Sequence, residues 1–205
     1  MGIDIKIKEI IIEIEYILVI TLLTTTVSQT AMSYLDKYYV CLLFVIFHEL
    51  AHVLVGTVLG KKLKKVFIGI SGMTAFFKYE YIIKTRKNYI IDLLVFLAGP
   101  VANIVIATIF CNNKFIYEIN MFLAILNFLP IFPLDGYNII KSIGISLFIQ
   151  KKRTVIRVVN CISVVFISIL SVICITIFLM YRNISSIFFL IYLLLLNVKN
   201  NNKLA

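Results

Sequence analysis

Long apolar runs limit what this 205-residue chain can become more than any other feature. Residues 16–35, 38–59, 89–111, 115–134, 158–180 and 184–198 are each predominantly apolar, and most are about 20 residues long. A helix needs about 20 such residues to cross the hydrocarbon core of a bilayer. Inside lipid every backbone N–H and C=O must be satisfied within the protein, so helices are the natural spanning element. Overall, 61% of the residues are hydrophobic and only 15% are charged, outside the soluble globular range. The runs predict an all-α membrane protein of about six transmembrane helices in a single domain, residues 1–205, without a CBS or PDZ domain.

Net charge is +10, which in a soluble protein would suggest nucleic acid. Here the cations sit between the apolar runs and no nucleic-acid-binding pattern is present, so the expected neighbours are the lipid bilayer and not RNA or DNA. Six spans with both ends on one side place seventeen Lys and Arg there, against Lys37, Lys114 and Arg182 opposite. The positive-inside rule then puts both termini in the cytoplasm. Cys41, Cys111, Cys161 and Cys174 are scattered without a C-x-x-C pair and read as packing residues.

Two segments break the helical pattern. Residues 1–15 alternate charge with isoleucine and read as an amphipathic lead-in lying at the interface. After Gly60, residues 66–81 are β-branched, aromatic and interrupted by glycine, too short to span. A β-hairpin or re-entrant segment after the second helix is predicted there, with a cytoplasmic loop of some strand character as the even alternative.

Chemistry concentrates in the second run, at His48-Glu49-Leu50-Ala51-His52. These are the only two histidines, and a spacing of four puts both imidazoles on one helix face, where two nitrogens can meet one Zn²⁺. Glu49 can serve a water there as general base. Ionisable residues at membrane depth are costly and point to function; two satisfied core histidines would leave both the spacing and the glutamate unexplained. His52 lies eight residues before Gly60, roughly 12 Å inside the cytoplasmic face at 1.5 Å per residue.

A catalytic zinc site takes three protein ligands and keeps one position for water. With no third histidine, a carboxylate is needed. Depth and side of the membrane leave Glu13, Glu15, Asp92 and Asp135. Asp135 is favoured, because Pro130, Pro133 and Gly136 break the helix where it stands. Ala98-Gly99-Pro100-Val101-Ala102-Asn103 reads as a kink or a close helix contact.

H-E-x-x-H in a membrane run, followed by Ala98-Gly99-Pro100 and then by Asn127-Phe128-Leu129-Pro130-Ile131-Phe132-Pro133-Leu134-Asp135-Gly136, resembles the site-2 protease family (peptidase family M50) of intramembrane zinc metalloproteases. The likeness is greatest to the family's bacterial sporulation branch, which releases the sigma-K transcription factor from its precursor. It covers roughly residues 38–140 by motif. It implies one Zn²⁺ per chain held by His48, His52 and Asp135, with Glu49 catalytic and Asn127 lining the substrate cleft. It further implies a membrane-associated protein substrate, inhibitory membrane partner proteins, and a place in a bacterial cell membrane such as that around the forespore. Gly72-Met73 stands where the branch has Gly-Gly, and Tyr137 stands where a second glycine is usual. A zinc carrier or sensor that hydrolyses nothing is the rival reading. A prenyl-protein endopeptidase is another, but no glutamate follows Glu118 to serve as its later ligand.

Overall fold

The structure is a computed structural model, and it describes residues 2–7, 10–15, 32–69, 72–77, 85–181, 190–191, 193–195 and 197. The predicted first span, 16–35, and last span, 184–198, therefore lie largely outside the described residues. Among the described residues, four strands and five α-helices have defined bounds, in chain order: β1 Gly2–Ile7, β2 Ile10–Glu15, α1 Met32–Val58, β3 Leu63–Gly69, β4 Gly72–Phe77, α2 Arg86–Ile109, α3 Lys114–Phe128, α4 Asp135–Leu147 and α5 Lys152–Tyr181. Among the described residues, three segments are long and apolar enough to cross a membrane: Tyr39–Val58, Arg86–Ile109 and Ile149–Met180. The run 115–134 is not one continuous helix. Its helix, α3, stops at Phe128 after 15 residues, and irregular backbone follows through Leu134. Pro130 and Pro133 explain the early stop, since neither can donate a backbone N–H to continue the ladder.

Side-chain placement is that of a protein solvated by lipid. On α1, Phe44, His48, His52 and Gly56 recur every four residues and are buried, while Leu43, Phe47, Leu50, Leu54 and Val58 are exposed. On α2 the buried stripe is Asn88, Asp92, Gly99, Asn103 and Ala107, and the exposed residues are Ile90, Leu94, Val101, Val105 and Ile109. α5 likewise buries Val159, Ser163, Ile167 and Cys174 and exposes Val158, Val165, Ile169 and Val172. In water, leaving so many large aliphatics outside would cost about 1.5–3 kcal/mol for each. In hydrocarbon that cost vanishes, and the polar stripes are what must be hidden.

The chain forms two compact units: residues 1–83 with 97–124, and residues 84–96 with 125–205. The first contains a four-stranded sheet in the order β1-β2-β3-β4. β1 pairs antiparallel with β2, β2 parallel with β3, and β3 antiparallel with β4, with a bulge between Leu63 and Lys65. The N-terminal segment is thus a strand pair, which corrects the amphipathic lead-in and adds strands to an all-α expectation. Isoleucine alternates strictly with other residues from Gly2 to Ile7, and that period of two is the strand period. Just past α1, Gly60 takes a φ of +84° that suits glycine, with Lys61 N–H donating to the Gly56 carbonyl at 2.9 Å. β4 then rests on α1: the Phe77 ring lies directly over Gly56, so closely that a Cβ there would overlap it.

In the second unit, Ile131, Ile167 and Leu193 form a buried core with Leu129, Leu134 and Leu170 against it. Gly144 of α4 admits Val155 of α5 at a distance no side chain would allow. The Phe132–Pro133 peptide is cis. Tyr137 is buried, donates its hydroxyl to Asn160 at 2.7 Å and packs edge to face on Phe132.

Candidate metal centre

The helical spacing of His48 and His52 delivers the expected geometry. Both rings are buried, 5% and 7% exposed, in a helix whose other face meets lipid. They meet edge to face with centroids 4.8 Å apart, and their Nε2 atoms face one another at 3.1 Å. Two nitrogens on one tetrahedral Zn²⁺ at about 2.0–2.1 Å stand about 3.3 Å apart. The pair therefore needs a shift of only a few tenths of an ångström to share an ion.

Room for two imidazoles at one level comes from Gly99. A Cβ built on Gly99 would sit 2.5 Å from His48 Nε2 and 2.6 Å from its Cε1, and closer still to His52 Nε2. The α2 backbone thus approaches the two Nε2 atoms directly. The close helix contact expected at Ala98-Gly99-Pro100 is present, and what it touches is the pair of histidines.

Four residues on, Asn103 is fully buried and its amide lies 3.2 Å from His48 Nδ1. As placed, Nδ2 faces the ring and Oδ1 has no hydrogen-bond partner among the described residues. A histidine that binds metal through Nε2 carries its proton on Nδ1 and needs an acceptor there. The amide can provide one by turning its oxygen to the ring, an assignment made from bonding logic because amide N and O are alike in shape. Asn103 was not singled out as a site residue from sequence. The signal was its spacing of four from Gly99, which puts both on the same face of α2.

Asp135 is the first residue of α4, preceded by Leu134 in extended backbone at φ −60° and ψ 159°. A carboxylate in a first helical turn is stabilised by the exposed N–H groups there. Gly136 beside it packs on the carbonyl oxygens of Phe128 and Leu129, where any Cβ would collide. The Asp-Gly pair thus joins a possible ligand to the one residue type that fits behind it. The ligand atoms of His48, His52 and Asp135 all lie within 4.8 Å of one another. Among the described residues no other three His, Cys, Asp or Glu side chains gather in this way. Asp92 is buried but is not in the cluster, and Glu13 and Glu15 fall on β2.

Glu49 follows His48 on α1 and is half-buried. Asn127 lies in the last turn of α3, also half-buried, eight residues before Asp135. The donor set, two imidazoles and one carboxylate with mutually close ligand atoms, fits a hydrolytic zinc site with an open position.

No protein-family model matches the sequence, and no curated protein does either. The fold, however, is similar to that of a solved structure, the site-2 protease from Methanocaldococcus jannaschii. The TM-score is 0.63 at 20% sequence identity, over 97% of this chain and 94% of that one. At that identity the likeness establishes the fold. Three apolar helices among the described residues, that fold, and a cluster of two buried histidines with the half-buried Asp135 define a membrane protein of site-2 protease architecture with a potential metal site.

Proposed function

We propose that this chain is an intramembrane zinc metalloprotease that hydrolyses a peptide bond of a membrane-associated protein near the cytoplasmic face. The observation that carries this reading is the convergence of His48, His52 and Asp135 ligand atoms within 4.8 Å in a chain with the fold of a site-2 protease. In this reading His48 and His52 bind through Nε2, Asp135 through a carboxylate oxygen, and one ion serves each chain. Bound Zn²⁺ supplies a water acidified toward neutral pH and an electrophile for the scissile carbonyl.

The remaining work falls to residues of the chain. Glu49, next to a ligand and half-buried, takes the proton from the attacking water on its carboxylate and delivers it to the leaving amine. Asn103 holds the His48 ring through Nδ1. Asn127 lines the cleft. The substrate must be extended to expose its backbone, and the β3–β4 pair supplies a strand edge in the same unit as the histidines. The excess of Lys and Arg between the apolar runs on one side supports cytoplasmic termini in this reading.

A sigma-factor precursor of the sigma-K type is the substrate suggested by the sequence motifs, with a sporulating bacterium as its setting. Co-expression of the chain with such a membrane-tethered precursor tests this. Cleavage by the wild type and none by Glu49→Gln is the expected outcome. A zinc carrier that hydrolyses nothing predicts instead that both chains bind zinc and neither cleaves any tethered protein.

A further inference from the structure

Three residues before Asp135, the Phe132 backbone is held by side chains that the zinc chemistry does not use. The Phe132 N–H donates to Ser163 Oγ at 3.1 Å. The Ser163 hydroxyl donates to Asn197 Oδ1 at 3.0 Å, and Asn197 Nδ2 donates back to the Phe132 carbonyl. Asn197 Nδ2 also donates to the Leu193 carbonyl at 3.1 Å. Ser163 and Asn197 are 1% and 7% exposed. This closed ring of hydrogen bonds satisfies both backbone groups of one residue from α5 and from the Leu193–Asn197 turn.

Irregular backbone carries polar groups that no helix ladder satisfies, and in an apolar environment each one must find a partner. Residues 129–134 do so locally through Ile131 N–H to Leu129 O at 2.8 Å and Leu134 N–H to Ile131 O at 2.7 Å. Phe132 is where the segment is tied to later parts of the chain. From there, Pro133 and Leu134 lead directly into Asp135, whose backbone is pinned on its other side by Gly136 against the Phe128 and Leu129 carbonyls. Free to shift, this segment would carry the Asp135 carboxylate with it, and a zinc ligand tolerates only about 0.2 Å of displacement.

We propose that Ser163 and Asn197 are positioning residues for the metal site, holding the Phe132–Asp135 segment so that the carboxylate stands ready for the ion. The inference rests on Asp135 being the third ligand. Zinc affinity of the full-length chain, measured by chelator competition beside the thermal midpoint of the metal-free chain, tests both. Ser163→Ala and Asn197→Leu should each weaken zinc binding by about 10–100-fold, the range for outer partners of a metal site. Ser163→Thr, which keeps the hydroxyl, should stay within about threefold of wild type, and the double variant should lose less than the product of the two singles because both break one circuit. Ser163→Cys, a weak donor of similar size, replaces the alanine variant if that chain does not fold, and should weaken zinc in the same direction.

Wild-type zinc affinity in Ser163→Ala and Asn197→Leu, with only the metal-free midpoint lowered and with Asp135→Asn losing its zinc, would show a purely structural role and overturn the inference. Wild-type affinity in Asp135→Asn would instead remove the third ligand, and the proposed site with it.

Discussion

Replacing Gly99 by alanine adds one methyl group to α2 at the point where that helix meets the two histidines. The new Cβ would lie 2.5 Å from His48 Nε2 and nearer to His52 Nε2, against an ordinary contact distance of 3.4 Å. To clear it, the rings must retreat by roughly 0.9–1.0 Å, between four and five times the ~0.2 Å tolerance of a zinc–ligand distance. Structural zinc sites bind with about 10–16 kcal/mol shared among four ligands, or roughly 3 kcal/mol each. Losing good contact with even one imidazole therefore predicts a drop in affinity of at least about 100-fold, at 1.4 kcal/mol per decade. Helix propensity cannot account for such a loss, since alanine is favoured over glycine in a helix interior by about 1 kcal/mol. The assay is chelator competition on purified Gly99→Ala, with helicity and thermal midpoint followed in the metal-free chain. Zinc affinity within threefold of wild type would refute the argument that the α2 backbone shapes the site.

Other outcomes follow from the same geometry. Glu49→Gln should retain one zinc per chain while hydrolysis falls by at least about 100-fold, as measured by single-turnover cleavage in vesicles. Asn103→Leu, close in volume but without an acceptor for His48 Nδ1, should weaken zinc about 10–100-fold, whereas Asn103→Asp should bind at least as well as wild type; equal affinities for all three chains would remove Asn103 from the site. Gly56→Val should push the Phe77 ring off α1 and release β4, read as faster amide exchange in residues 72–77 with zinc content unchanged.

Much of the site was legible because it depends on local spacing. His48 and His52 are four apart on a helix, so helical geometry puts both rings on one face, and their Nε2 atoms stand 3.1 Å apart. Asp135 was legible by its position at a helix break, and its choice over Asp92 is supported by the cluster of ligand atoms. The role of Gly99 could be read only as far as a close contact, because no local rule says which side chains a glycine faces across a helix pair. Asn103 was passed over for a similar reason: its partner lies 55 residues earlier in the chain.

The strands at 2–7 and 10–15 were misread although their alternation is regular. The period of two in Ile3, Ile5 and Ile7 is that of a strand, and β2 pairs parallel with β3; the charged residues between the isoleucines drew the reading toward an interfacial helix. The run 115–134 extends past the helix because hydropathy continues through Leu134, whereas α3 stops at Phe128, just before the prolines that break it.

Metal content and cleavage measured on one preparation test the central claim most directly. Wild type, His52→Ala, Asp135→Asn and Glu49→Gln chains, purified in full length and returned to vesicles with a membrane-tethered protein substrate, should separate cleanly. One zinc per chain is expected in wild type and Glu49→Gln and much less in the two ligand variants, with cleavage by wild type alone. A wild-type chain that holds no zinc, or cleavage that survives in Glu49→Gln or His52→Ala, would contradict the account.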